Sequence, residues 1–158
     1  LVTVHVPADK PNSIPALLQA KCRIAIKEAE DKEPVVPGTV YFAPPDYHLL
    51  VEQDRSLSLS SEEPANFSRP SVDVLFESAA DAYGKDLLAI ILSGANQDGA
   101  RGARAVGEAG GVVVVQNPDS AEARMMPESA LTACPEARVM NLSTLAELLC
   151  AYGGTAQC

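Results

Sequence analysis

His5 stands where an opening apolar run, Leu1-Val2-Thr3-Val4-His5-Val6, gives way to a loop, and Asp98 stands in the turn Ser-Gly-Ala-Asn-Gln-Asp-Gly at 93–99. A histidine held by a carboxylate is the general-base half of a nucleophilic triad. The carboxylate fixes the ring tautomer, and the free ring nitrogen takes the proton of a nucleophile. Each residue alone also has an ordinary reading: Asp98 can cap the helix that starts at Gly99, and His5 can simply finish a strand. A capping aspartate exchanges for asparagine almost without cost. The second histidine, His48, lies inside a short strand pattern and reads as a packed, hydrogen-bonded structural group. The 93–99 turn holds two glycines and a helix start, as a phosphate loop does. It lacks the lysine of G-x-x-x-x-G-K-[ST] and is not G-x-G-x-x-G, so nucleotide binding is the weaker alternative.

A parallel sheet would bring His5 and Asp98 together, because ligand-facing groups of open α/β sheets collect beyond the carboxyl ends of the strands. Strand and helix patterns alternate along the chain as such a sheet requires. The expected fold is doubly wound α/β, a mostly parallel sheet flanked by helices in three layers. Ser13 is placed to cap a short helix through Ile14, Leu17 and Leu18, with Pro15 tolerated in its first turn. The charges at 27–33 read as a solvated loop. Runs at 40–43, 47–51 and 57–60, separated by Pro-Pro-Asp and Asp-Arg-Ser, suggest an antiparallel hairpin inserted in the sheet.

Val72, Leu75, Phe76, Ala79, Ala80 and Tyr83 recur at the helical period, predicting a helix over 70–83 with Ser68 or Arg69 at its cap, Pro70 in its first turn and Gly84 as its stop. The apolar runs 87–92 and 112–115 have the length of buried parallel strands, with a helix over 100–109 between them. A short helix opens at 126–131, 138–142 is a candidate edge strand, and Ser143 caps a final helix through Tyr152.

At 158 residues the chain has the size of one domain, and we expect a single α/β domain over 1–158. Its formal charge of −9 argues against nucleic acid and anionic lipid as partners. No apolar stretch approaches the roughly 20 residues of a membrane-spanning helix. Four cysteines, at 22, 134, 150 and 158, form no C-x-x-C pair, and with two histidines in the chain neither a metal site nor a cofactor is expected. They suit free thiols in a cytoplasmic protein, with Cys150 a small core residue. The opening run has neither an initiator methionine nor a signal-peptide pattern and reads as a strand in progress, so the first elements of the domain are expected upstream.

Arg-Pro-Ser-Val-Asp-Val-Leu-Phe at 69–76, Ile-Leu-Ser-Gly-Ala-Asn-Gln-Asp-Gly-Ala at 91–100, Gln-Asn-Pro at 116–118, Met-Pro at 126–127, Pro-Gly at 37–38 and Ala-Pro-Pro-Asp-Tyr-His at 43–48 occur in an order and spacing that resemble the CheB chemotaxis protein-glutamate methylesterase catalytic domain over nearly the whole chain. The resemblance implies hydrolysis of γ-glutamyl methyl esters on chemoreceptors by a serine, histidine, aspartate triad, with glutamine deamidation in some members. The triad histidine matches His5 and the triad aspartate matches Asp98.

The partner so implied is a methylated chemoreceptor cytoplasmic domain or a similar protein substrate, with a receiver domain as a further candidate. The family's nucleophile lies in a G-x-S-x-G-G turn ahead of the histidine strand, and no G-x-S-x-G string occurs in this sequence. The serine is therefore expected upstream, in a strand–turn–helix unit of about 30 residues. Val-Pro-Ala-Asp at 6–9 departs from the family's Met-Pro-Pro, and Ala95 replaces a frequent methionine beside the oxyanion site, where a backbone N–H survives the change. The reading from another class is a non-catalytic interaction module on the same scaffold.

Overall fold

The computed structural model describes residues 1–7 and 12–152. The Ala8, Asp9, Lys10 and Pro11 part of the first loop and the cysteine at 158 lie outside the described residues. Elements run in the order α1 (Ile14–Gln19), β1 (Ala25–Glu28), β2 (Thr39–Phe42), β3 (His48–Val51), β4 (Leu57–Ser60), α2 (Val72–Tyr83), β5 (Leu88–Ile91), α3 (Ala100–Glu108), β6 (Val112–Gln116), α4 (Met125–Ala133), β7 (Arg138–Met140) and α5 (Leu142–Tyr152). This is the three-layer α/β arrangement expected, with parallel strands flanked by helices and a small antiparallel hairpin.

Strands β5, β6 and β7 form one parallel block in that order, pairing Leu88 with Val112 and Val114 with Arg138. Strands β1 and β2 pair in parallel, Ala25 opposite Thr39. The opening segment extends this second block: Val2 bridges Phe42 in parallel, with Val2 N–H donating to Tyr41 O at 2.8 Å and Ala43 N–H to Val2 O at 2.9 Å.

Several expectations are corrected. The run at 40–43 belongs to the parallel sheet, and only β3 and β4 form the hairpin, His48 opposite Ser60. Part of the charged stretch at 27–33 is strand: Lys27 and Glu28 close β1, and the Lys27 ammonium bonds Glu30 at 2.7 Å and Glu33 at 3.0 Å just beyond it. Such a strand keeps its charges in water while Ile26 packs inward, so local polarity hid it.

Helix α2 begins at Val72 with Ser71 at its cap, two residues later than its sequence pattern predicts, and Pro70 precedes it. Beside α1 it is Asn12, not Ser13, whose side chain meets the free backbone donor, accepting from Ile14 N–H at 3.1 Å. Helix α5 starts at Leu142, so Ser143 lies inside it, and Cys150 is exposed while Cys134 is the buried thiol.

The apolar strands β5 and β6 bury Ala89, Ile91, Val113 and Val115 against Ala103 and Val106 of α3 and Met126 and Ala130 of α4. A second core joins Leu75 and Ala79 of α2 to Tyr41, Leu49, Val51 and Leu57. Helix α2 thus links the cores, and its crossing with α3 is close. A Cβ built on Gly102 would lie 2.5 Å from Phe76 Cβ and 3.2 Å from Asp73 Cα, atoms that a rotamer change cannot move. Gly102→Ala gains up to about 1 kcal/mol of helix propensity but forces the helices apart at about 1–3 kcal/mol. The expected outcome is a net loss of stability, seen as a melting temperature lowered by a few degrees and a lower urea midpoint at unchanged m-value.

Candidate functional site

Between β5 and α3 the chain turns through 93–99, and its geometry is fixed from both sides. Ser93 N–H donates to Gln116 Oε1 at 2.9 Å, Gly94 N–H to Ala123 O at 3.1 Å, and Met126 N–H to Gly94 O at 2.9 Å. Asn96 Oδ1 accepts the Asp98 N–H at 3.1 Å and turns the chain back. Gly99 follows at φ +91°, where a Cβ would meet Ile91 Cδ1 at 2.6 Å, so glycine is required for both conformation and space.

Asp98 is driven inward by that turn and is fully buried. Its carboxylate sits at the N-terminus of α2, a helix distant in sequence. Oδ2 accepts from Val72 N–H at 2.6 Å, and Oδ1 accepts from Asp73 N–H at 3.0 Å and from Ser71 Oγ at 2.7 Å. Asn66 Nδ2 at 3.2 Å and Gly99 N–H at 3.0 Å complete Oδ1. Free backbone donors and the positive end of the helix dipole make this a favourable place for an anion.

His5 supplies the last donor: its Nε2 lies 2.8 Å from Asp98 Oδ2. An ionised carboxylate only accepts, so Nε2 carries the proton and Nδ1 keeps its lone pair. Nδ1 faces Asn96 Nδ2 at 3.5 Å, too long for a firm hydrogen bond, and the His5 side chain remains 29% accessible. The ring is held on one side and available on the other. Burial alone would raise the Asp98 pKa, but the hydrogen bonds from His5, Ser71, Val72 and Asp73 outweigh it and hold the carboxyl at about 2.

The structure therefore brings together the two residues singled out by type and position. His48 is elsewhere, buried, its Nδ1 accepting from Ser71 N–H at 3.2 Å and its Nε2 donating to Glu63 O at 3.1 Å, a structural group as expected. It orients Ser71, which in turn bonds Asp98.

Ser71, Asn66, Asn96 and Asp73 were not legible as site residues. For Asp73 a signal existed, because it shares the helical face of Phe76 and Ala80. Its buried carboxylate accepts from Gly102 N–H of α3 at 2.8 Å and from Asn66 Nδ2 at 2.8 Å. The reading of Asp98 as a simple cap for the helix beginning at Gly99 is corrected: Asp98 caps α2, and Asp73 of α2 bonds the first turn of α3. Among the described residues no group of three or more potential metal-binding side chains assembles.

The site thus sets a half-exposed histidine on a fully buried carboxylate within a three-layer α/β fold of parallel strands flanked by helices. The chain belongs to the CheB methylesterase family, which residues 1–149 match. It is similar to a putative protein-glutamate methylesterase/protein-glutamine glutaminase of Leptospira interrogans, 47% identical over 148 residues that cover 94% of this chain and 77% of the relative. A protein-glutamate methylesterase/protein-glutamine glutaminase of Cupriavidus pinatubonensis is 38% identical, over 99% of this chain and 46% of its own length. Among solved structures, the Thermotoga maritima CheB methylesterase catalytic domain superposes with a TM-score of 0.85 at 31% identity, covering 94% of this chain and 80% of that one.

Because Asp98 accepts from the protein with both oxygens, asparagine is a poor substitute. With its oxygen at the Oδ1 position, the amide N–H₂ faces the Val72 N–H, donor against donor. Asp98→Asn is expected to lower stability by about 2–4 kcal/mol at neutral pH in urea unfolding. Acid titration of the unmodified protein gives a second measurement. The native carboxyl titrates at about 2 against an ordinary 3.8, so its contribution is complete above 3.8 and is lost as pH falls through about 2. That loss, about 2 kcal/mol, should be absent from the pH dependence of the Asp98→Asn protein.

Proposed function

We propose that this protein is a serine esterase that hydrolyses γ-glutamyl methyl esters on a chemoreceptor or similar protein, with deamidation of glutamine side chains as a related activity. The observation that carries the reading is the 2.8 Å contact between His5 Nε2 and the buried Asp98, which leaves Nδ1 free as the base. In this reaction a serine hydroxyl attacks the ester carbonyl while His5 Nδ1 takes its proton. Asp98 stabilises the imidazolium that forms, and the same proton passes to the departing methoxide. Water, deprotonated by His5, then hydrolyses the acyl-enzyme and restores the serine.

The backbone N–H of Ala95 is the candidate donor for the oxyanion. It lies in the exposed part of the turn, and among the described residues it meets no acceptor. The Ala95 side chain is irrelevant to that task.

The serine in this reading is carried by a strand–turn–helix segment preceding Leu1, within the same domain. An apolar cleft of about 340 Å³ beside β5, lined by Leu1, Phe76, Ala79, Leu88, Ile90 and Leu149, supports that reading, since it offers apolar surface to such a segment. Among the described strands β5 pairs only with β6, and the Val2 segment pairs only with β2. A parallel strand laid between them, about 4.8 Å from each, would join the blocks into one sheet and end beside His5.

Methanol release from a methylated receptor fragment tests the proposal. The full-length protein should turn over, residues 1–158 alone should not, and His5→Gln in the full-length protein should lose at least about 10³ in kcat. Saturable turnover by residues 1–158 would mean that another group is the nucleophile.

A further inference from the structure

Residues 65–68 form a two-residue reverse turn in which Ala65 N–H donates to Ser68 O at 3.1 Å and Ser68 N–H to Ala65 O at 2.9 Å. Both tip residues are left-handed, Asn66 at φ 50° and Phe67 at φ 62°. Turns of this hand favour asparagine followed by glycine. Asn66 fits the preference. Phe67 does not, because a bulky side chain in this region crowds its own backbone.

Nothing among the described residues compensates: Phe67 is 103% exposed, whereas Leu17, also on the surface, is 62% exposed. A lone exposed apolar residue is ordinary. An unfavourable residue type, in a strained conformation, with its ring wholly in water, calls for a role outside the folded chain.

Its neighbours tie that ring to the site. Asn66 Nδ2 bonds Asp98 Oδ1 at 3.2 Å, Ser68 Oγ lies 3.4 Å from Asn96 Nδ2, and Asn96 Nδ2 lies 3.5 Å from His5 Nδ1. The turn is anchored to the site through the residues on either side of Phe67, so the exposed ring is carried on a fixed support that borders the site.

We infer that Phe67 is a specificity-determining contact for the protein substrate, its ring packing on apolar side chains of the polypeptide that flank the modified glutamate. The inference rests on the esterase reading above. A methyl ester offers little surface for recognition, so a polypeptide must be held through groups remote from the reacting carbonyl. An aromatic side chain supplies a large, rigid contact at small entropic cost.

In the full-length protein, Phe67→Ala and Phe67→Gly should raise KM for a methylated receptor fragment about tenfold or more with kcat little changed, the mark of lost binding uniform to ground and transition states. Turnover of p-nitrophenyl acetate, which has no polypeptide to grip, should change less than twofold. Phe67→Trp should restore most of the affinity for the receptor fragment. Melting temperature should hold in Phe67→Ala and hold or rise in Phe67→Gly, which relieves the left-handed strain.

Unchanged KM for the receptor fragment, with normal p-nitrophenyl acetate turnover, would overturn the inference and leave the esterase reading standing. A marked fall in melting temperature with KM unchanged would do so too, by showing that the ring packs within the protein itself. Failure of the wild-type full-length protein to hydrolyse either ester would overturn both.

Discussion

The buried negative charge of Asp98 organises this molecule. Moving an unpaired carboxylate out of water costs several kcal/mol even after relaxation, so Asp98 is tolerable only because the fold surrounds it with donors before His5 arrives. The end of α2 provides two backbone N–H groups that have no partner within their own helix. Asp73, in the first turn of α2, bonds the Gly102 N–H in α3. Each helix thus meets a carboxylate lodged in the other element, and the close crossing that Gly102 permits keeps both carboxylates within reach. Site geometry and helix packing are one arrangement. A change that loosened the α2–α3 crossing would also move the anchor of the imidazole.

How much of this was legible follows from which signals are local. The periodic stripe of α2 and the apolar runs of β5 and β6 are dictated by burial of their own side chains, and periodicity reveals them. That His5 and Asp98 lie near one another followed from topology, since residues after parallel strands gather at one edge. The acceptor role of Asp98 toward α2 was not legible, because its donors at 71–73 are distant in sequence and backbone N–H groups carry no residue signature. Ser71 illustrates the same limit. At a helix N-terminus a serine ordinarily caps its own helix, yet here its hydroxyl is turned to Asp98 while its N–H goes to His48. The missed strand β1 and the late start of α2 are boundary errors of another kind, where tertiary pairing overrode local composition.

The orientation of the imidazole also follows from burial. With Oδ1 occupied by Ser71, Asp73, Asn66 and Gly99, only Oδ2, shared with Val72 N–H, remains for the ring. The ring brings Nε2 to that oxygen with Nδ1 turned toward Asn96. The buried carboxylate therefore selects both the tautomer and the direction from which a proton would arrive.

The strength of that selection bears on the proposed chemistry. A carboxyl held at about 2 by hydrogen bonds from His5, Ser71, Val72 and Asp73 remains ionised wherever the protein is folded near neutrality, so the proton on Nε2 has a permanent acceptor. In the proposed reaction a proton taken at Nδ1 would stay on the ring, with the ionised Asp98 as its fixed counter-charge. An ordinary surface aspartate with a pKa near 4 would give a similar tautomer but a mobile one, because two exposed side chains lose entropy to hold a single geometry and gain little for it. Recruiting the helix end, with the Asp73 and Gly102 contact behind it, converts a weak surface pair into a rigid one.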